Sequence, residues 1–199
     1  QDSKGNLKAV KQRPIDFSSV GGIWIPCFGS QTPWNTHLGS EEDYDLYYTT
    51  GYENKNTKRG LKALTEVYFD NTKEANAYDY GFITEVEVKK DSSTKVTKHY
   101  AMGKGTWEMA KVLDDGRTVY YGDDGKNVGM FMFIADNKND LSAGTLYAAK
   151  WNQTSAAGSD GGAANLTWFK LGHNTSEEVK QYASKYTFGD IFEHKTQTD

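Results

Sequence analysis

The sequence has little cysteine and no excess of one charge sign. Cys27 is the only cysteine among 199 residues, which excludes an intrachain disulfide and a zinc site built from several cysteines. We interpret Cys27 as a small buried residue of an apolar strand. The formal net charge is −4, and no cluster of Lys and Arg with interleaved aromatic residues occurs, so nucleic acid is not expected as a partner.

Long apolar runs and closely spaced histidines are also lacking. No run approaches the roughly 20 apolar residues that a membrane-spanning helix needs, so we expect no membrane span. The four histidines do not occur at the spacing of a zinc-protease helix. The chain begins with Gln1 and shows no recognisable signal peptide, which we interpret as a processed or truncated N-terminus.

What the sequence does have is a recurring β pattern. Aromatic residues make up 14%, and 20 glycines accompany them. Turn compositions follow Asp91, Asp114 and Asp123, which favours hairpins and antiparallel neighbours in an all-β fold. A capping sequence at Thr175 predicts one short surface helix, and residues 151–164 are expected to form a mobile loop. Ten strands are predicted, at residues 22–28, 44–49, 64–69, 81–88, 95–101, 107–113, 118–121, 128–135, 144–151 and 165–171.

Two adjacent carboxylates, Glu41 and Glu42, are the most informative local feature. They follow an apolar segment at residues 22–28 and a polar loop that contains glycine and proline, so we place them at the end of a strand. A hard cation such as calcium needs several oxygen ligands held together, and adjacent carboxylates can supply them. A solvated acidic turn is the alternative interpretation, and the sequence alone leaves both open.

The segment around this acid pair resembles a known family. Residues 32–42 are similar to the signature of the PhoX-type alkaline phosphatases, Thr-Pro-Trp-Gly-Thr-Trp-Leu-x-Cys-Glu-Glu. Ser40 occupies the position at which that family has an iron-ligating cysteine. A serine hydroxyl is a poor ligand for ferric iron compared with a thiolate, so this substitution affects the metal chemistry that the resemblance implies.

Three further segments resemble the same family in the same order. Residues 101–110 are similar to Ala-Leu-Gly-Arg-Phe-x-His-Glu-x-Ala, with Glu108 at the position of a metal-binding glutamate. Lys104 replaces the arginine of that motif and Trp107 replaces its histidine, so a bidentate phosphate donor and an imidazole are both missing. Residues 119–124 resemble the motif that ends in Gly-Asp-Asp, and residues 144–150 resemble the strand Gly-Thr-Leu-Tyr-x-Ala-Lys.

The resemblance, over about residues 21–192, implies part of a β-propeller with long loop insertions. A four-stranded blade takes roughly 40–50 residues, so the chain is too short for the complete propeller of the family. We therefore predict that residues 1–199 form one partial propeller domain, the N-terminal part of a longer PhoX-like domain. A partial propeller leaves strand edges open, so a complementary chain or fragment is expected to complete it.

The resemblance also implies a function and a set of site residues. In one hypothesis the chain is a secreted or periplasmic bacterial phosphomonoesterase that uses calcium, with iron as an additional metal. Lys104 would then contact the phosphate weakly as a point charge. In the alternative hypothesis the chain is a non-catalytic extracellular binding or structural module that keeps the propeller and its calcium. The metal ligands implied by the resemblance are Glu41, Glu42, Glu108, Asp123 and Asp124.

Two of these assignments have plainer alternatives. Asp123 and Asp124 precede a glycine, which is also typical of a hairpin turn without a metal. Glu108 lies in an apolar strand, where an inward-pointing carboxylate needs a cation. Residues 136–140 alternate oxygen-bearing side chains but lack the glycine and the distal glutamate of an EF-hand, so we interpret them as a polar turn.

Overall fold

The computed structural model describes residues 2–9, 11–42, 55–125, 128–191 and 193, and for residues 55 and 56 the backbone alone. The predicted strand at residues 44–49 and His194 lie outside the described residues. Among the helices that are described, none combines the length and the apolar composition needed to cross a membrane.

Two antiparallel sheets follow one another along the chain. The first has four strands, β1 (Pro26–Gln31), β2 (His37–Glu41), β3 (Ile83–Val88) and β4 (Thr94–Lys98). The second has five strands, β5 (Trp107–Val112), β6 (Thr118–Asp123), β7 (Met130–Asn137), β8 (Asp140–Gln153) and β9 (Ala164–Thr175). Each strand pairs with its sequence neighbour, so both sheets are simple meanders. The mostly β fold with antiparallel neighbours confirms the predicted class.

The two sheets do not close into a ring within the described residues. They meet where β5, the first strand of the second sheet, packs against β1 and β2 of the first. The shared core contains Leu38 and Ile83 from the first sheet and Trp107, Val119 and Phe133 from the second, all at most 2% exposed. Burial of these side chains from both sheets fixes how the strand ends of one sheet face those of the other.

Three α-helices accompany the sheets among the described residues, rather than the single helix predicted. Helix α1 (Lys55–Ala63) continues into a π-helical turn at Leu64–Tyr68, so the predicted strand at residues 64–69 is wrong. Leu61 and Leu64 pack on Tyr80 and Trp24, and this packing overrides the β propensity of the segment. Gly60 is required there, because a Cβ on it would lie 1.7 Å from the Trp24 ring.

The predicted surface helix is confirmed as α2 (Ser176–Lys185). Thr175 and Glu178 form a reciprocal capping box, in which the Thr175 hydroxyl accepts from the Glu178 N–H and the Glu178 carboxylate accepts from the Thr175 N–H. A short helix, α3 (Phe188–Ile191), follows it.

Several strand boundaries differ from the prediction. The first strand begins at Pro26 rather than at residue 22, and β2 was not predicted at all. Strands β8 and β9 are longer than expected, which shortens the predicted loop at residues 151–164 to the segment between Gln153 and Ala164. The turn at residues 136–140 is a tight β7–β8 hairpin with Asn139 in a left-handed conformation, as the polar-turn interpretation predicted.

Candidate metal centre

Four side chains that can ligate a metal meet where the ends of four strands come together. Cys27 is the second residue of β1, and Glu42 directly follows β2. Glu108 is the second residue of β5, and Asp124 directly follows β6. Because β1 pairs with β2 and β5 pairs with β6 in antiparallel fashion, the start of one strand lies beside the end of the next. Packing of β5 on β1 and β2 then brings the two strand pairs together.

The ligand atoms of this cluster are close. One side-chain atom from each of Cys27, Glu42 and Glu108 lies within 4.8 Å of the other two. The Cys27 Sγ is 3.9 Å from Glu108 Oε2, and the thiol also makes a hydrogen bond to Glu42. Glu108 shares a side-chain hydrogen bond with Asp124. The strand-end cluster, as we call these four residues, therefore contains three carboxyl groups and one thiol.

Glu42 is the buried member of the strand-end cluster. It is 8% exposed. Within the described part of the chain, its side chain has no cationic partner and no hydrogen-bond donor outside the cluster. A carboxylate removed from water and left without such partners is costly unless a cation compensates it. Among the described residues, the hydrogen bond to this carboxylate comes from the Cys27 thiol, and a bound cation would compensate its negative charge.

The crowding of negative charge in the strand-end cluster raises the pKa values of Glu108 and Cys27. The pKa of Glu108 is raised by partial burial, by the negative charges of Glu42 and Asp124, and by its hydrogen bond to Asp124. The pKa of the Cys27 thiol is raised to about 11, first by its hydrogen bond to Glu42 and then by desolvation and the surrounding carboxylates. Cys27 is exposed, so its interpretation as a buried residue is wrong.

Ser40 connects the strands that carry this cluster. Its hydroxyl donates to the Glu108 carbonyl at 2.7 Å and accepts from the Phe28 N–H at 3.1 Å. The position that holds a cysteine in the resembling motif is therefore a buried structural link here. Ile25, two residues before Cys27, has a φ of 42°, a strained conformation for a β-branched residue, and its carbonyl accepts from the Glu42 N–H at 3.0 Å.

Glu41 and Asp123 are not brought into the strand-end cluster. The Glu41 carboxylate is fully buried, pairs with Lys98 at 3.0 Å, and accepts from the N–H groups of Trp24, Gly81 and Phe82 at 2.8–3.0 Å. Asp123 accepts from the Thr106 N–H at 2.9 Å. Both carboxylates therefore have structural partners inside the fold.

Lys104 and Trp107, the two substituted positions of the second motif, also have structural contacts. The Lys104 Nζ donates to the Tyr80 carbonyl at 2.5 Å. Trp107 is 2% exposed, donates from Nε1 to the Gly103 carbonyl at 3.1 Å, and packs edge-on against Tyr121 and Phe131. The indole thus fills the core between the sheets.

A second polar cluster, centred on Glu85, lies away from the strand ends, and the Glu85 carboxylate in it has three side-chain donors. Glu85 accepts from Trp34 Nε1 at 2.7 Å, from the Thr36 hydroxyl at 2.5 Å and from His99 Nε2 at 2.7 Å. Burial alone would raise the Glu85 pKa, but these hydrogen bonds and the His99 charge outweigh it and lower the pKa to about 2. Trp34 and Glu85 line a cavity of about 640 Å³.

Sequence reasoning found three members of the strand-end cluster and missed Cys27. No motif pointed to it, because its position depends on the register of β1 against β2. Pro26 lies opposite Glu41 and Gly29 opposite Gly39, with an irregularity between them that sets the direction of the Cys27 side chain. The apolar neighbours of Cys27 instead indicated a buried strand.

The donor set fits a metal ion. Carboxylate oxygens are the ligands that calcium prefers, and a sulfur donor beside them suits transition metals. A bound cation would also compensate the negative charge of Glu42, a buried carboxylate whose hydrogen-bond donor among the described residues is the Cys27 thiol.

Comparison with known protein families gives a match over nearly the whole chain. The family model described as "Alkaline phosphatase PhoX" matches residues 3–197, nearly the whole chain. No curated protein and no solved structure gives a significant match.

Proposed function

The chain belongs to the PhoX alkaline phosphatase family, and from this membership we propose that it is a metal-dependent hydrolase of phosphate monoesters. The proposed metal ligands are Glu42, Glu108 and Asp124, and the proposed metal is calcium, with iron as an additional metal. Glu41 and Asp123 act in this proposal as structural supports for the ligand-bearing strands.

The observation that carries the proposal is the meeting of these three carboxylates from two different sheets. They are separated by 66 and 16 positions along the chain. Pairing of β5 with β6 brings Glu108 and Asp124 together, and packing of β5 on β1 and β2 brings Glu42 to them. A fold gains nothing from crowding acidic groups around a buried carboxylate unless a cation binds there.

The residues of the site have separable tasks in this mechanism. A bound cation would neutralise the phosphate oxygens and promote attack by water. Glu42 would hold the cation from the buried side, and Glu108 and Asp124 from the second sheet. Ser40 positions Glu108 by binding its carbonyl, which keeps the two sheets in register at the site.

The test is hydrolysis of p-nitrophenyl phosphate with added calcium and ferric iron. Glu108→Gln should reduce turnover at least roughly a hundredfold, because it removes a charged ligand of the cation. Glu87→Gln is the matched control, since Glu87 is an exposed glutamate of β3 and should leave turnover unchanged. Absence of turnover in the unmodified protein under every metal condition would refute the enzymatic proposal.

One observation favours the second candidate, a metal-binding module without hydrolysis. The two side chains that replace phosphate-handling residues of the family, Lys104 and Trp107, are engaged with Tyr80 and with the core. Calcium binding without turnover, lost in Glu42→Gln, would support the module over the enzyme.

We further propose that the two meanders are adjacent blades of a β-propeller and that residues 1–199 are the N-terminal part of a longer domain. Sequential antiparallel pairing within each sheet and packing through the first strands support this arrangement. The long outer strand β9 exposes Phe169 and Leu171, which a complementary chain or fragment would cover. The intact mass of the native material and its mass by light scattering test this.

We also propose a secreted or periplasmic location, which cell fractionation would test.

A further inference from the structure

We infer that Cys27 is a thiolate ligand of the proposed metal centre, so the centre binds a transition metal through sulfur and carboxylate oxygen together. This inference rests on the metal centre proposed above and adds to it the ligand that decides which metal is preferred.

The first argument is position. The Cys27 sulfur and one oxygen each of Glu42 and Glu108 lie within 4.8 Å of one another, a separation that one ion between them can bridge. Glu42, which is 8% exposed, faces this same point and has no donor or cation outside the cluster among the described residues. The sulfur therefore lies beside the buried carboxylate, where a bound cation would compensate the negative charge.

The second argument is that the sulfur donor comes from β1 instead of from the neighbouring strand β2. The family motif carries its cysteine at the position of Ser40 on β2, but here the Ser40 hydroxyl is committed to the Phe28 N–H and the Glu108 carbonyl. Cys27 lies on β1, the strand paired with β2, and it reaches the same two glutamates. A sulfur donor is thus retained in the cluster although it comes from a different strand.

The chemical consequence concerns metal choice. A centre of carboxylates alone favours calcium or magnesium, whereas one thiolate shifts the preference towards iron, cobalt or zinc. On binding, the Cys27 thiol loses its proton to solvent and the sulfur donates an electron pair to the metal, with no change in oxidation state.

Cobalt(II) is the probe for the test, because a cobalt–thiolate bond gives a charge-transfer absorption in the near ultraviolet that carboxylate ligands do not give. Titration of the reduced protein should produce this band, and bound cobalt should slow alkylation of Cys27 by iodoacetamide at least roughly tenfold. Cys27→Ala and Cys27→Ser should both abolish the band and weaken cobalt binding roughly tenfold or more. Calcium binding should change less than about twofold, since calcium prefers oxygen ligands.

Cys27 is exposed, so both variants should fold, and unchanged thermal unfolding without metal checks this. The inference is overturned if the unmodified protein binds cobalt without the band, or if Cys27→Ala binds cobalt as tightly as the unmodified protein. In those cases calcium-dependent turnover that survives in Cys27→Ala would leave the proposed function intact. Failure of Glu42→Gln and Glu108→Gln to weaken any metal would instead refute the metal centre itself.

Discussion

Glu41 and Glu42 are neighbours in the chain, yet their surroundings are opposite. The Glu41 carboxylate is buried among one ammonium group and three backbone N–H groups. Glu42 is buried beside a thiol and near Glu108, without a cation from the described part of the chain. Successive residues of an extended chain point to opposite sides. The Glu41 carboxylate therefore points to the buried face of the first sheet, and the Glu42 carboxylate points into the strand-end cluster.

The comparison separates structural carboxylates from candidate ligands by their partners rather than by their burial. Glu41 receives three backbone hydrogen bonds and an ion pair, and Glu85 receives three side-chain hydrogen bonds, so both have little oxygen capacity left for a metal. The strand-end cluster has carboxylate oxygens in excess of donors. Mutation of a structural carboxylate such as Glu41 should therefore mainly lower the stability of the fold. Mutation of a carboxylate of the strand-end cluster should mainly weaken metal binding.

The largest effect is expected for Glu41→Gln. It leaves the buried Lys98 ammonium without its counter-charge, which should lower the free energy of unfolding by about 3–5 kcal/mol. Urea denaturation at neutral pH measures this, with Glu87→Gln as the matched control, expected to lie within about 0.5 kcal/mol of the unmodified protein. A loss below about 1 kcal/mol for Glu41→Gln would mean that the ion pair is not the structural element described here.

The next effect is a pH dependence from Glu85. Its pKa in the folded protein is about 2, below the ordinary 4.5, so the charged form is favoured by folding. The stabilisation is therefore complete above pH 4.5 and is lost as the pH falls towards about 2, by roughly 3 kcal/mol in total. Urea denaturation across this range should show that Glu85→Gln lacks most of this loss. Parallel curves for the two proteins would contradict the assignment.

The contrast between Glu41 and Glu42 could be predicted only in part. The family resemblance brought Glu42, Glu108 and Asp124 together, because aligned motifs carry information about long-range packing that local patterns lack. The resemblance also included Glu41, because two adjacent acids in a motif cannot be distinguished from the sequence. The distinction depends on the structure, in which β2 extends through Glu41 and the Glu41 side chain points inward. The Lys98 partner lies 57 positions away, and no local rule predicts such a pair.

The fold shows the same limit. Alternating apolar residues and turn compositions predicted most strands of the second sheet, where pairing is between sequence neighbours and local signals suffice. The segment at residues 64–69 was predicted as a strand because Val67, Tyr68 and Phe69 favour β structure. Its helical form depends on packing against Trp24, which lies 40 positions before the segment, and against Tyr80, which lies 11 positions after it.

A third prediction concerns metal addition. Calcium at roughly a hundred times its Kd should raise the free energy of unfolding by about 2.7 kcal/mol, and EDTA should reverse the gain. Glu41→Gln should retain this increment despite its lower stability, because Glu41 is not a ligand in the proposal. Thermal or urea unfolding with and without calcium measures both. If the increment were lost in Glu41→Gln but kept in Glu42→Gln, the metal ligand would be Glu41 and not Glu42.

The smallest effect is expected for Glu42→Gln in metal-free protein, and its sign is the sharpest test. The substitution removes one of several crowded negative charges, so the apo protein should become more stable by about 0.5 kcal/mol. The same chemical change one residue earlier, Glu41→Gln, should destabilise strongly. Urea denaturation in EDTA compares them directly. If Glu42→Gln also destabilised the apo protein by several kcal/mol, Glu42 would have a structural partner, and the argument that its burial requires a bound cation would fail.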